Sequence, residues 1–356
     1  MFLKAMRKLP VLPLSSVLID SVSDSEKSVM WFSTQESSRE HKSKPIWNQG
    51  VPRVVFHLKQ KMIGRIGLLS SDPWSRRVQS LGQALTEKGV AVAHVLPWKV
   101  IRTGQTGRHE ISHDGEDLSN LDTLLVLDLG ANDIGSFFNR VGLLSALAEM
   151  GVQIVNSVNS ILLMRNKAET MRRLISAGLP VPETLITESI EVAAEFVEEH
   201  FPCVLKPITG FGGLGVQLIE REFDLENIYD YLKFHRQMFG QGAFLLQEYI
   251  KSPGYDLRAL VLDGEVVSTM RRLGRGGITT NIHNGGIPER SEEDVEDLAI
   301  ESAKSVKGRF VGVDIIPDLE DNFWVIEINA TPGWSGLQQV TDFDISERLA
   351  DNLSFA

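Results

Sequence analysis

The sequence predicts a parallel α/β unit followed by an α+β unit, and three observations carry that prediction. Between residues 62 and 155 short apolar runs alternate with amphipathic stretches of helical length, the pattern of a parallel sheet covered by helices. Beyond Leu245 the chain turns mostly to strands joined by tight turns, with one long helix near the end. The 356 residues, 42% hydrophobic and 23% charged, suffice for two or three compact units of ordinary globular composition, which excludes disorder or a fibre for the chain as a whole.

Taken in order, residues 1–60 are rich in Ser, Lys and Glu, lack sustained periodicity and read as a loosely ordered extension. The basic start and the apolar stretch 11–19 resemble a signal peptide only faintly, because polar residues interrupt the stretch and no small-residue cleavage site follows cleanly. Translation starting at Met62 is an alternative, since the first regular strand begins directly after it. Residues 61–160 read as an amino-terminal α/β domain: strand 63–69, helix 76–88 ended by Gly89, strands 91–95 and 121–129, a helix containing 143–150 stopped by Gly151, and strand 152–155. Residues 161–249 read as a central subdomain, with helix 167–177, a short strand after Pro182, helix 192–199, strand 204–207 and a glycine cluster. Strand 245–250 leads into a carboxy-terminal subdomain, 250–356. There, strands 256–262 and 265–271 flank a turn at Gly264, a helix spans about 292–306, and strands 312–316 and 323–328 form a hairpin.

Charge and cysteine usage narrow the partners. Residues 1–60 hold nine Lys/Arg and five Asp/Glu, a balance of +4, which leaves 27 basic and 42 acidic side chains, or −15, in the rest. An acidic body is poorly suited to displacing counterions from a phosphate backbone, so no nucleic acid is expected as partner. No uninterrupted apolar run of roughly 18 residues occurs, so no spanning helix and no membrane partner are expected. The single cysteine, Cys203, can form no internal disulfide and lies in an apolar strand segment, which predicts a buried core thiol and a reducing, cytoplasmic setting.

Three constellations can carry chemistry. Lys206 on its strand precedes Thr209-Gly-Phe-Gly-Gly-Leu-Gly-Val216, where a cation and several backbone N–H groups could surround a polyphosphate; a tight hairpin would need the same glycines. On strand 323–328 and just beyond it, residues two apart share a face, so Glu327, Asn329 and Val325 point together while Ile326 and Ile328 lie opposite. With Asp314 on the neighbouring strand, three oxygen donors face one space, which suits Mg²⁺ held between carboxylates and substrate phosphates; a solvated polar face is the bland alternative. Third, Glu248 at a strand end could accept from an adenine amino group and Asp256 could meet ribose hydroxyls, although the segment alone is hairpin chemistry. Arg258, alternating with Asp256 and Leu260, aims at the metal ligands, and Arg271, Arg272 and Arg275 add cations for substrate and nucleotide anions. Trp334, after Pro332-Gly333, either lines a substrate pocket or packs. His283 in its turn either touches substrate or is a satisfied loop histidine.

These pieces, in this order over residues 62–345, resemble the ATP-grasp superfamily, and more narrowly its RimK-like alpha-L-glutamate ligase group. The resemblance rests on Asn-Lys-Ala at 166–168, Lys206 with its glycine loop, Gln-Glu-Tyr-Ile at 247–250, Asp-Leu-Arg at 256–258, Thr-Asn-Ile-His-Asn-Gly-Gly at 280–286, Gly-Val-Asp at 312–314 and Glu-Ile-Asn-Ala-Thr-Pro-Gly at 327–333. It implies an ATP-grasp fold behind an amino-terminal parallel α/β (pre-ATP-grasp) domain. It also implies ATP and Mg²⁺ as cofactors, with two ions and Mn²⁺ as a substitute. By the same resemblance, Lys167 and Lys206 contact phosphates beneath a loop that includes Gly212, Gly213 and Gly215. Glu248 with the backbone near Tyr249 and Ile250 holds adenine, Asp256 the ribose, and Asn281 approaches the phosphates and a metal. Asp314, Glu327 and Asn329 become the Mg²⁺ ligands, and Arg258 and Arg272 the catalytic cations near the transferred phosphoryl group and the acceptor carboxylate. Family members often form dimers or tetramers, so a homo-oligomer is part of the same expectation.

The implied reaction is ligation of a carboxylate to an amine through an acyl phosphate, with L-glutamate as the amine donor. The segments 71–77 (Ser-Asp-Pro-Trp-Ser-Arg-Arg) and 329–338 look like ligases of tetrahydromethanopterin-linked metabolism, whereas 281–286 looks closer to the general RimK pattern. A small, pterin-like carboxylate acceptor is the leading expectation. Glutamylation of a protein tail such as that of ribosomal protein S6, and a non-catalytic ATP-binding regulator, are the alternatives. A degenerate regulator would lack one of Lys206, Arg258, Asp314, Glu327 or Asn329, and all five are present. A dinucleotide enzyme is disfavoured at 70–74, where the turn after the first strand lacks the glycines a pyrophosphate needs.

Overall fold

Four hydrogen-bonded sheets organise the described part of the chain. The computed structural model describes residues 64–131, 133–210, 213–239, 242–274 and 286–353. The first sheet follows the alternating pattern: β1 (Arg65–Leu69), α1 (Arg76–Glu87), β2 (Ala91–Val95), and later β6 (Thr123–Val126), α2 (Ile134–Glu149) and β7 (Gln153–Val155), with parallel order β2-β1-β6-β7. Between β2 and β6 lies an antiparallel meander that the pattern did not announce, β3 (Ile101–Gln105), β4 (Arg108–His113) and β5 (Glu116–Asp117). Every residue of β3 is exposed, so it has no buried face to impose an apolar alternation. β6 (Thr123–Val126) is shorter than the expected 121–129, although Leu127 and Leu129 beyond it are buried; α2 (Ile134–Glu149) and β7 (Gln153–Val155) follow.

Two helices, α3 (Val158–Arg165) and α4 (Lys167–Ser176), lead to the second sheet, and the Asn166 side chain between them accepts from the Glu169 amide at 3.2 Å to cap α4. The second sheet contains β8 (Thr184–Thr187), β9 (Cys203–Lys206), β10 (Gln217–Ile219) and β11 (Phe244–Glu248), in antiparallel order β10-β9-β11-β8. Helices α5 (Ile190–Glu199), α6 (Glu222–Glu226) and α7 (Ile228–Phe239) belong to this region. Phe196, Val197, Ile228 and Leu232 pack against Cys203, Leu205, Phe244 and Leu246. Alternation along β9 and β11 therefore leaves Val204, Lys206 and Gln247 on the opposite face.

The third sheet is antiparallel, in order β14-β13-β12-β15-β16: β12 (Tyr255–Leu262), β13 (Glu265–Leu273), β14 (Ile287–Arg290), β15 (Phe310–Pro317) and β16 (Phe323–Asn329). Its hairpin turn Asp263-Gly264 has φ of 50° and 84°, the left-handed pair that a two-residue turn requires. One face buries Leu257, Ala259, Val261, Val313 and Ile315 against Ala299, Ala303 and Val306 around α8 (Glu296–Ser305), which starts four residues later than expected. The other face changes character along its length. At one end Leu260, Leu262, Met270 and Phe310 meet Trp334, α1 and α9 (Ile345–Leu353); further along, the same face carries Arg258, Asp256, Arg272, Asp314 and Glu327.

Asn156 joins the first sheet to the third. Its amide donates to the carbonyls of Phe310 (2.6 Å) and Ala330 (2.8 Å), and its oxygen accepts from the amides of Arg309 (2.8 Å) and Phe310 (2.9 Å). No helix among the described residues is long and apolar enough to cross a membrane.

Candidate active site

Cross-strand register assembles the polar face of the third sheet. Arg258 stands directly opposite Asp314, Asp314 opposite Glu327, and Asp256 opposite Arg272, so five charges from four strands share one surface. Arg272 donates through Nε to Asp256 Oδ1 at 2.7 Å and approaches Asp314 Oδ1 at 3.1 Å; Arg258 Nη2 donates to Asp314 Oδ2 at 3.0 Å. Gly312 makes room for this: a Cβ there would lie 2.2 Å from a guanidinium nitrogen of Arg258. Asn329 donates to Asp314 Oδ2 at 3.3 Å, and Glu327 pairs with Lys167 at the start of α4.

The solvated-face alternative fails for Asp314, which is only 2% exposed. Burial pushes its carboxyl upward in pKa, against the pull of Arg258 and Arg272. Burial likewise works against the Glu327 carboxylate, yet Lys167 beside it holds its pKa below the ordinary value. Arg272 is buried too, but the flanking Asp314 and Asp256 raise its pKa and keep it charged.

Alternation along β16 does not hold as expected. Asp314 pairs with Glu327 and Ile315 with Val325, so Ile326 is an extra, bulged residue. Val325 and Ile328 accordingly enter the core, while Ile326 and Glu327 both line the cleft. One further expectation is corrected and one open alternative is resolved. Arg271, one residue from Arg272 on a strand, faces away from the cleft and pairs with Glu293, whose carboxyl is pulled down to about 2, against its burial, by Arg271, Ser291 and Tyr255. Trp334 is 2% exposed and packs edge-on against Phe310, which settles its role as packing.

Across the polar face lies the second sheet, and between them is a cleft of about 210 Å³. Of the residues singled out above, it is lined by Lys167, Lys206, Gly213, Glu248, Tyr249, Ile250, Asp256, Arg272, Asp314 and Glu327. Arg258, Gly215 and Asn329 stand behind that lining: Arg258 and Asn329 touch Asp314, while Gly215 (φ 80°) lies against Phe239, where a Cβ would come within 2.9 Å of the ring, and its carbonyl contacts His235 at 3.2 Å. Gly212, Asn281, Arg275 and His283 lie outside the described residues.

Sequence reasoning missed the apolar walls, Pro182, Val204, Ile316 and Ile326, and the partner of Lys206, Gln247. Val204 and Gln247 were findable, because each sits an even number of residues from a wall residue on its own strand or faces one across the ladder. Desolvation in the cleft lowers the Lys206 pKa to about 8. As for metal, the oxygen donors Asp314, Glu327 and Asn329 are hard ligands suited to Mg²⁺. Among the described residues no three His, Cys, Asp or Glu form a cage of their own, and a two-carboxylate site is the kind Mg²⁺ shares with phosphates.

Two sheets facing across a cleft, with Lys206 on one, Asp314 and Glu327 on the other and Lys167 at a helix start beside Glu327, define the architecture of an ATP-grasp enzyme. Residues 164–353 match the RimK-like ATP-grasp domain, and the chain belongs to that family; it is an ATP-grasp ligase. The chain is 33% identical over 241 residues to the tetrahydromethanopterin:alpha-L-glutamate ligase of Methanocaldococcus jannaschii, an alignment covering 66% of this chain and 80% of that one. It is 32% identical over 254 residues to the coenzyme gamma-F420-2:alpha-L-glutamate ligase of the same organism, covering 66% and 85%. The ATP-grasp ligase PsnB, solved with a minimal precursor, Mg and ADP, shares the fold at a TM-score of 0.62 and 23% identity, over 81% of this chain and 96% of that one.

Proposed function

We propose that the protein is an ADP-forming ligase that joins the amine of L-glutamate to a carboxylate of a small, pterin-like cofactor. The observation that carries this reading is the convergence of Lys167, Lys206, Asp314 and Glu327 on one apolar-walled cleft, in a chain whose relatives ligate glutamate to tetrahydromethanopterin and to coenzyme gamma-F420-2. Val204, Ile316 and Ile326 offer adenine apolar walls, with Glu248 and the backbone of Tyr249 and Ile250 at their polar edge; Asp256, at the start of β12, is assigned to the ribose. Lys167 and Lys206, with Gly212, Gly213 and Gly215, are assigned to the phosphates, and Asn281 to their approach.

Asp314, Glu327 and Asn329 would hold Mg²⁺, which would supply charge neutralisation to the phosphates. In the first step the acceptor carboxylate oxygen attacks the γ-phosphorus of ATP and ADP leaves. In the second the glutamate amine attacks the acyl carbon, phosphate leaves and the amine gives up a proton. Both steps gather negative charge, and Arg258 and Arg272 act on it as fixed cations that need no reorganisation because Asp314 and Asp256 already orient them. The low-dielectric walls strengthen each of these interactions and keep water from the acyl phosphate. The lone buried Cys203 fits a cytoplasmic enzyme.

The test is ADP and phosphate release from Mg-ATP with L-glutamate and each of tetrahydromethanopterin, coenzyme gamma-F420-2 and an S6-type tail peptide, followed by mass spectrometry. A product one glutamyl residue heavier with a pterin or related cofactor is expected. Modification of the peptide alone would replace this acceptor with a protein tail.

A further inference from the structure

The carboxyl ends of β1 and β6 lie where the strand order reverses, between β2-β1 on one side and β6-β7 on the other, the place where open parallel sheets receive ligands. The loops there press together: Gly130, with φ of 57°, sits where a Cβ would come within 2.6 Å of Ser71. Asp128 binds them, accepting from Ser70 Oγ at 2.8 Å and from the Ser71 amide at 2.9 Å. Arg140, nearly buried, donates to the Leu129 carbonyl and fixes the second loop.

Two further arginines reach this edge from other elements and are only loosely held. Arg77 of α1 makes contacts of 3.4 Å to the Pro332 carbonyl, 3.5 Å to the Leu127 carbonyl and 3.8 Å to Asp128. Arg165, at the end of α3, donates to Thr331 Oγ1 at 3.4 Å. Burial works against both charges, and Asp128 is the carboxylate that supports both, with Asp72 aiding Arg77 and Glu327 aiding Arg165. Asp128 is already committed to Ser70 and Ser71, so two partly buried guanidinium groups share one occupied carboxylate. Their contacts, Thr331 and Pro332, follow the metal-ligand strand by only a few residues; four residues from Glu327 to Thr331 span at most about 14 Å.

We propose that Arg77 and Arg165 form a carboxylate-binding subsite for the non-nucleotide substrate, receiving a carboxylate other than the one that is phosphorylated. The inference rests on the ligase reading above and adds to it where that substrate lies. A planar guanidinium pair matches carboxylate geometry, and a substrate carboxylate would supply the anion that Asp128 provides only in part. Glutamate and a polycarboxylate acceptor share this chemistry.

Arg165→Gln and Arg77→Gln, with Arg165→Lys as the charge-preserving control, separate the sources. The KM of either L-glutamate or the acceptor should rise about tenfold or more, with partial recovery in the lysine variant and the KM of ATP unchanged within about twofold. A rise for glutamate alone places the amine donor here, and a rise for the acceptor alone places the acceptor. Unchanged KM values for both, or an equal rise for ATP, overturn the proposal. If the wild type turns over none of the substrate pairs, calorimetric binding of L-glutamate and of tetrahydromethanopterin decides separately. Tenfold weaker binding of one of them in Arg165→Gln upholds the subsite although the reaction assignment has failed, and equal or absent binding overturns it.

Discussion

The polar face of the third sheet and the loop edge of the first hold their charges in opposite ways. On the third sheet Arg258, Arg272, Asp256 and Asp314 stand on paired strands, and the best-buried of them, Arg272 and Asp314, have side chains 3% exposed each. At the edge of the first sheet Arg77 and Asp128 stand 3.8 Å apart with side chains 20% and 23% exposed. Strand register gives a preorganised, mutually neutralised ladder; two helices meeting the loop edge give cations with only long contacts. On the readings proposed above, the difference separates a site built to stabilise a transition state from one that accepts a ligand group.

The largest expected effect breaks the ladder at its chemical end. Glu327→Ala should lower Mg-dependent ATP turnover by about a thousandfold with the circular dichroism spectrum unchanged; near-normal turnover would remove Glu327 from the proposed metal site. Next, Arg272→Gln leaves Asp256 buried without its cation and Asp314 with Arg258 alone, and should cost about 3–5 kcal/mol in urea unfolding. Arg77→Gln at the loop edge should cost less than about 1 kcal/mol. Equal losses would erase the contrast between the two regions. Asn156→Ala, which removes four hydrogen bonds between the first and third sheets, should destabilise by about 2 kcal/mol in the same assay.

A smaller effect follows pH. Folding lowers the Lys206 pKa from 10.5 to about 8, so the side chain is mostly charged at pH 7 and mostly neutral at pH 9. Nucleotide affinity of the free enzyme should fall up to about tenfold over that interval, and Lys206→Met should flatten the profile. The stability sign is the reverse: the folded protein binds this proton less tightly than the unfolded chain does. The cost of charging Lys206 is therefore full below about pH 8 and is relieved as pH rises towards 10.5. The smallest effect is at Cys203, whose thiol burial pushes up to about 12; it should resist iodoacetamide at pH 8 until urea unfolds the chain.

Much of this was legible in the sequence because the third sheet obeys a period of two. Asp314 and Glu327 announced themselves as acids flanked by Val and Ile, and Lys206 as a cation ending an apolar strand. The bulge at Ile326 was not legible, since neither glycine nor proline marks it and only the pairing of Ile315 with Val325 exposes it. Helix α7 hid behind apolar residues on two faces, with Leu232 buried and Phe234 and Met238 exposed. Helix α9 carried a readable signal in Ile345, Leu349 and Leu353 at helical spacing. Arg77 and Arg165 meet the same edge from helices almost ninety residues apart, and no local pattern encodes that meeting.

The most direct test of the ligase chemistry is to follow heavy oxygen from the acceptor. The enzyme is given Mg-ATP, L-glutamate and tetrahydromethanopterin with heavy oxygen in its carboxylates, and the released phosphate is analysed by mass spectrometry. Ligation through an acyl phosphate transfers one labelled oxygen to each inorganic phosphate, with ADP as the nucleotide product. Unlabelled phosphate accompanying amide formation, or AMP and pyrophosphate in place of ADP, would contradict that chemistry.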